Sequence, residues 1–231
     1  MFEKILIRGS ILFVSLIATI DNHAQPEQKN SALYWETAIK EFEQIDSILM
    51  PPENAVLFVG SSSIVYWKTL ARDMAPLTVI NRGFGGSQMS DLNYYRERIV
   101  LKYKPRLIVV YEGDNDIGLG SKVDSVLNEF DDFTAFVMKK LPESIVCFIA
   151  VKPSVLRKNH WPNMQRVNAG LAERARKNTR ICYIDIATPM LLNDGSVNPD
   201  LFVSDGLHLN ELGYTVWADV VKPVLMANSP E

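Results

Sequence analysis

The sequence predicts an α/β fold in which a five-stranded parallel sheet is covered by helices on both faces. Short apolar runs of strand length alternate along the chain with longer segments that show helical periodicity. The runs are almost continuously apolar, which is typical of strands buried on both faces. Polar motifs follow several of these runs, as expected where the carboxyl ends of parallel strands form a site.

The predicted elements follow one another from residue 35 onward. Apolar residues recur at helical spacing from Trp35 to Leu49, and Pro51 ends that first helix. The predicted strands cover residues 55–59, 77–80, 106–111, 144–151 and 180–186. The later helices are predicted at residues 91–103, 124–140, 164–177 and 211–226. Asn210 is the expected N-cap of the last helix.

Length and composition favour one globular domain, which we place at residues 30–228. The chain has 231 residues, of which 47% are hydrophobic and 22% are charged, and this size suits one sizeable core. The formal net charge is −3, and no long basic run accompanies it. Nucleic acid is therefore not an expected partner.

The first 25 residues are typical of a secretory signal peptide. Lys4 and Arg8 lie at the front, residues 11–20 are almost purely apolar, and Ala24 stands where cleavage would occur. The run is too short for a stable membrane span. The segment predicts export to the periplasm or the medium. An uncleaved anchor and a buried N-terminal element are the alternatives.

The only two cysteines, Cys147 and Cys182, both lie in predicted strands. In an exported protein such a pair could form a disulfide. The favoured interpretation is that both are small buried hydrophobic residues in neighbouring strands.

The run from Ser204 to His208 carries the clearest candidate for acid–base chemistry. His208 is the only one of the three histidines with a carboxylate, Asp205, three residues upstream. A neutral imidazole is the usual base at neutral pH, and a carboxylate on its far nitrogen fixes its tautomer. His160 has basic neighbours and is predicted to be a loop residue.

Two small-residue turns follow the first and second predicted strands. Residues 60–63 read Gly-Ser-Ser-Ser, which suits either a nucleophile at a helix start or a simple helix cap. Residues 83–86 read Gly-Phe-Gly-Gly. They either bring backbone amides close to a ligand or form a plain turn, and they match no nucleotide-binding motif.

An acidic segment, residues 112–116, follows the third predicted strand. Asn115 could donate a neutral N–H to a developing oxyanion. A calcium loop does not fit, because Gly118 stands where an oxygen ligand is needed. The remaining alternative is a solvated acidic loop. No His/Cys cluster has zinc spacing, so no metal is expected.

Taken in order, these motifs resemble the SGNH (GDSL-type) serine hydrolases, which have a flavodoxin-like α/β/α fold. The resemblance covers about residues 54–224. The family's four motifs fall on residues 60–62, 81–86, 113–116 and 205–208. Ser61 replaces the family's usual aspartate, and the nucleophile position is Ser62.

The resemblance implies a Ser-His-Asp esterase that needs no cofactor. Ser62 would attack the ester, His208 would act as base, and Asp205 would orient His208. Gly86 and Asn115 would bind the oxyanion. The implied substrate is a small-molecule or glycan ester, with acetyl esters favoured because no long apolar lid is evident in the sequence.

Two alternative functions remain open at this point. One is a lysophospholipase or thioesterase that acts on lipid acyl groups. The other is a non-catalytic envelope protein that binds a sugar or an acyl chain, with Trp67, Trp161 and Trp217 as stacking surfaces. Neither alternative changes the expected fold.

Overall fold

The computed structural model describes residues 31–229, and these form a three-layer α/β/α arrangement around one sheet. The five strands are β1 (Val56–Gly60), β2 (Val79–Gly83), β3 (Leu107–Tyr111), β4 (Ile145–Ile149) and β5 (Ile181–Ile184). All are parallel, in the order β2-β1-β3-β4-β5, which is the flavodoxin-like order. The predicted fold class is confirmed. The predicted signal peptide at residues 1–25 lies outside the described residues.

Nine α-helices lie within residues 31–229. They are α1 (Ser31–Tyr34), α2 (Glu36–Ile48), α3 (Ser62–Val65), α4 (Leu70–Met74), α5 (Met89–Ile99), α6 (Asp114–Gly118), α7 (Val123–Lys140), α8 (Trp161–Lys177) and α9 (Glu211–Asn228). Short 3₁₀ turns occur at Leu101–Tyr103, Lys158–His160, Thr188–Met190 and Pro199–Leu201. Among residues 31–229, none of the helices has the length and hydrophobicity that a membrane span requires.

Different helices cover the two faces of the sheet, because side chains alternate along each strand. From β1, Leu57 and Val59 join the core formed with α2, α5, α7 and α8. Val56 and Phe58 join the core formed with α3, α4 and α9. Both faces are therefore buried, which explains why the strands lack alternating polar residues.

The second strand was predicted two to three residues too early. It runs through Asn81 and Arg82 to Gly83, although the prediction ended it before these polar residues. Arg82 is buried, and its guanidinium pairs with Asp46 and donates to the Tyr103 hydroxyl at 2.6 Å. Partners distant in sequence therefore satisfy a strand residue that looks like part of a loop.

Local capping explains two helix ends. The Asn210 side chain accepts a hydrogen bond from the Gly213 amide at 3.0 Å, which confirms the predicted N-cap of α9. Helix α5 begins at Met89, earlier than predicted, and the Asp91 carboxylate accepts from the Gln88 amide at 3.0 Å.

The two cysteines lie opposite each other on neighbouring strands. Cys147 of β4 is in register with Cys182 of β5, which confirms their predicted placement. Both thiols are free, Cys147 is buried and Cys182 is half-buried. The alternative of a disulfide is not present in the structure.

Candidate active site

Three side chains from two distant parts of the chain form a hydrogen-bonded line at the carboxyl end of the sheet. The Ser62 hydroxyl lies 3.0 Å from Nε2 of His208. Nδ1 of the same ring lies 2.6 Å from Oδ2 of Asp205. Ser62 and His208 are 146 positions apart in sequence. In this arrangement an imidazole can take the proton of a hydroxyl.

The loop from Asp205 to His208 is organised by local hydrogen bonds. Oδ1 of Asp205 accepts from the amides of Leu207 at 2.8 Å and His208 at 2.9 Å. This leaves Oδ2 of Asp205 for the imidazole. The spacing of three residues therefore lets one carboxylate fix both the turn and the ring.

The charge of Asp205 sets the tautomer of His208. Burial alone would raise the pKa of Asp205, but hydrogen bonds from the His208 ring and from two backbone amides lower it to about 2. The carboxylate is therefore ionised at neutral pH and can only accept a hydrogen bond. Nδ1 of a neutral His208 must then carry the proton, which leaves Nε2 to accept from Ser62.

Ser62 is held at the start of α3 by a tight turn. Gly60 has φ +135°, and a Cβ at this position would lie 2.1 Å from the Tyr111 carbonyl oxygen, so only glycine fits. The amide of Ser61 donates to the same carbonyl at 3.2 Å. The turn places the Ser62 hydroxyl and amide at the helix N-terminus.

The glycine-rich loop after β2 lies against Ser62. The Phe84 amide donates to the Gly60 carbonyl at 2.8 Å, and a Cβ at Gly85 would lie 3.8 Å from Cβ of Ser62. Gly86 has φ +82°. Within residues 31–229, the amides of Ser62 and Gly86 donate to no protein acceptor, so both remain available to a ligand.

Asn115 stands on the other side of this loop, in the first turn of α6. Its Nδ2 donates to the Ser87 carbonyl at 2.8 Å, and its Oδ1 accepts from Arg157 at 3.0 Å. A primary amide has two N–H donors, so one remains after the Ser87 bond. The chain thus brings Ser62, Gly86 and Asn115 around the loop of residues 83–87.

The acidic segment is buried, so the alternative of a solvated acidic loop is wrong. Glu112, Asp114 and Asp116 are each at most 4% exposed. Asp116 accepts from the Met89 and Gly113 amides at 3.1 Å. Burial raises the pKa of Asp116 to about 6, although these amide donors oppose the shift.

Glu112 is the most deeply buried of these acids. Burial, together with the neighbouring Asp116, raises the pKa of Glu112 well above its usual range. Its Oε1 lies 2.5 Å from the Ser87 hydroxyl, which itself lies 2.9 Å from the Phe84 carbonyl, and its Oε2 has no partner. A hydroxyl has one proton, so donation to Phe84 requires a protonated Glu112 on its other side.

Two residues outside the predicted motifs, Tyr66 and Lys152, also contact these groups. The Tyr66 ring packs edge-on against His208, with 5.0 Å between ring centroids. Lys152 is 1% exposed, and its ammonium pairs with Asp114. Trp67 and Trp217 are fully buried, so the expectation that they offer stacking surfaces is wrong.

Comparison with protein families shows the family to which this chain belongs. Residues 59–216 match the model of the GDSL-like lipase/acylhydrolase family. The match covers most of the chain, and the chain belongs to this family. No protein of curated function matches the sequence.

Solved structures share the fold at low sequence identity. A candidate platelet activating factor from Streptococcus pneumonia has 21% identity and a TM-score of 0.74, with 82% of this chain and 92% of that chain covered. A candidate acylhydrolase from Bacteroides fragilis has 19% identity, a TM-score of 0.72, and coverage of 81% and 95%. A GDSL-like lipase from Bacteroides thetaiotaomicron has 20% identity, a TM-score of 0.70, and coverage of 83% and 98%.

Proposed function

We propose that this protein is a serine esterase that forms an acyl-enzyme on Ser62. The Ser62 oxygen bonds to the acyl carbon while His208 Nε2 takes the hydroxyl proton. His208 returns that proton to the leaving alcohol as the ester bond breaks. Water then attacks the acyl-enzyme, His208 takes one of its protons, and the acid and free Ser62 are released.

The main support for this proposal is the pair of contacts made by the two ring nitrogens of His208. His208 lies 3.0 Å from the Ser62 hydroxyl and 2.6 Å from the Asp205 carboxylate at the same time. A structural histidine needs only one such partner. A hydroxyl on one ring nitrogen and an ionised carboxylate on the other are the requirements of a general base.

The negative charge that develops on the substrate carbonyl oxygen also needs donors. We assign the amides of Ser62 and Gly86 and the spare N–H of Asn115 to this role, since none of the three N–H groups has a protein acceptor within residues 31–229. One such donor contributes roughly 10²–10³-fold to kcat. Asp205 orients His208 and stabilises the imidazolium that forms.

The proposed substrates are small acyl esters, acetyl esters first, including those on glycans. Asp205 and His208 have side chains that are 45% and 26% exposed, so a bulky alcohol such as a sugar would meet no deep channel. We further propose export through the N-terminal segment, which would give access to such substrates. Fractionation of cells that express the full chain tests the location.

A lipid acyl ester or thioester is the second candidate, and one apolar surface favours it. Val155 and Leu156 are 40% and 62% exposed, and the Leu156 amide donates to the Gly206 carbonyl at 3.0 Å. Apolar side chains therefore lie beside the loop that carries His208. An ester series of increasing acyl length, with acetylated xylan and lysophosphatidylcholine alongside, separates the two candidates.

Replacement of the proposed nucleophile is the decisive test. We expect Ser62→Ala to abolish hydrolysis of p-nitrophenyl acetate and labelling by a fluorophosphonate probe. Ser61→Ala and Ser63→Ala are matched controls in the same turn and should keep both. Full activity in Ser62→Ala, with loss in either control, would refute the assignment. A wild-type chain that neither hydrolyses esters nor labels would support the ligand-binding alternative.

A further inference from the structure

Arg157 links Asn115, the proposed oxyanion donor, to a buried ionic cluster. Arg157 itself has no assigned role in the proposed acyl transfer. Its side chain is 17% exposed. Nη1 donates to Oδ1 of Asp114 at 2.5 Å, and Nη2 donates to Oδ1 of Asn115 at 3.0 Å. One planar guanidinium therefore spans two consecutive side chains of α6.

These contacts determine which way the Asn115 amide faces. Oδ1 and Nδ2 have nearly the same shape, so packing alone does not distinguish the two orientations. A guanidinium only donates hydrogen bonds and the Ser87 carbonyl only accepts them. Arg157 therefore requires Oδ1 on its side, Ser87 requires Nδ2 on the opposite side, and both requirements select the same orientation.

Arg157 is itself held in place from several directions. Asp114, its ion-pair partner, also pairs with the Lys152 ammonium and accepts from the Tyr111 hydroxyl at 3.1 Å. Burial opposes ionisation of Asp114, but Lys152 and Arg157 hold its pKa below the usual value. A Cβ at Gly118 would lie 2.7 Å from Nε of Arg157, so this glycine leaves room for the guanidinium.

We propose that Arg157 is a positioning residue that holds the Asn115 amide with its free N–H toward the oxyanion. The inference rests on the proposed esterase function. Arg157 acts through Asn115 and touches no reacting atom. Its loss would leave Oδ1 of Asn115 without a partner and free the amide to rotate, so transition-state stabilisation would fall while ground-state binding stays nearly the same.

Arg157→Met tests the proposal through the split between kcat and KM. We expect kcat for p-nitrophenyl acetate to fall by about tenfold or more, with KM little changed, and by no more than the ~10²–10³-fold expected on loss of a whole oxyanion donor. Arg157→Lys keeps the charge but not the planar fork, so it should rescue only part of the loss. An unchanged kcat in a folded Arg157→Met protein overturns the proposal.

A double-mutant cycle separates positioning from general stabilisation. If Arg157 acts through Asn115, Arg157→Met should cause no further loss of kcat in an Asn115→Ala background. A full additional loss in that background would contradict the proposal.

Arg96→Met is the matched control, because Arg96 also bridges an asparagine and an aspartate, Asn93 and Asp132. It should leave kcat unchanged.

If Arg157→Met does not fold, Gly118→Ala provides a second test of the positioning role of Arg157. The new methyl group would displace the guanidinium without removing a charge from the buried cluster. We expect kcat to fall in the wild-type background and to stay constant in Asn115→Ala, and equal losses in both backgrounds would refute the proposal. If Ser62→Ala stays active, the esterase assignment fails. If only the Arg157 and Gly118 variants keep full kcat, this inference alone fails.

Discussion

The two sides of the candidate site are built in different ways. The proposed base side, Asp205 and His208, is partly exposed and is held by hydrogen bonds within a loop of four residues. The proposed oxyanion side consists of Gly86 and Asn115, and Asn115 rests on a buried cluster of charges contributed by distant segments. One side is local and open to solvent, whereas the other is assembled by tertiary contacts and largely closed to it.

This difference determines how each side responds to mutation. On the base side, one carboxylate organises both the turn and the imidazole, so a substitution there should affect chemistry much more than folding. On the proposed oxyanion side, buried charges and the buried Glu112 carboxyl group support the donors. Their removal should cost stability as well as rate, because an unpaired buried charge is expensive.

The largest effect after loss of Ser62 is expected from Asp205→Asn. The amide keeps the shape but removes the negative charge that stabilises the imidazolium, so kcat/KM for p-nitrophenyl acetate should fall on the order of 10³–10⁴-fold. Thermal unfolding should change little, because the side chain is 45% exposed.

The pH profile of the same variant sharpens this test of the base side. The Asp205 pKa of about 2 means that this carboxylate stays ionised at any pH used for assay. Titration of Asp205 therefore cannot cause a fall in rate at acid pH. If the wild-type pH–rate profile has such an acid limb, the limb should persist in Asp205→Asn. Its disappearance, or a loss of activity below tenfold, would contradict the assigned role of Asp205.

A smaller loss is expected from Asn115→Ala on the oxyanion side. Removal of the spare N–H should lower kcat by roughly 10²–10³-fold with little change in KM. Asn93→Ala is the matched control, because this half-buried amide also accepts from an arginine and donates to a backbone carbonyl. A rise in KM at constant kcat would indicate ground-state binding instead.

The smallest effect on rate is expected from substitutions at Glu112, which should act mainly on the free energy of unfolding. Glu112→Gln keeps a neutral group of similar shape that can donate to Ser87, so activity and unfolding free energy should stay close to wild type. Glu112→Ala leaves a cavity and removes one hydrogen-bond partner of the buried Ser87 hydroxyl, and should cost about 2–4 kcal/mol of stability. Urea unfolding of the three proteins measures these differences.

The difference in stability between wild type and Glu112→Gln should also depend on pH, with a known sign. The pKa of Glu112 is raised on folding, so its contribution to stability is fully present below the unfolded pKa of about 4.3 and is lost as the pH rises through the folded-state pKa. Glu112→Gln lacks this proton. Relative to wild type it should therefore become more stable between pH 5 and pH 8, and a constant difference would mean that Glu112 is ionised in the folded protein.

Local patterns in the sequence determined much of the fold and the base side. Periodicity located all five strands, and the Asn210 cap and the Asp205 turn depend on residues within a few positions of each other. Resemblance to a family then connected His208 with Ser62. Contacts between residues close in sequence depend on the types of neighbouring residues, so they can be predicted from a single sequence.

Only the tertiary structure decided the oxyanion support and the depth of burial. Arg157 and Asn115 are 42 positions apart, and they meet because the segments that follow β3 and β4 are neighbours in the sheet. Arg82 and Lys152 are buried beside acids that no local pattern pairs with them. Which charge meets which depends on packing between layers, and residue spacing along the chain does not record that packing.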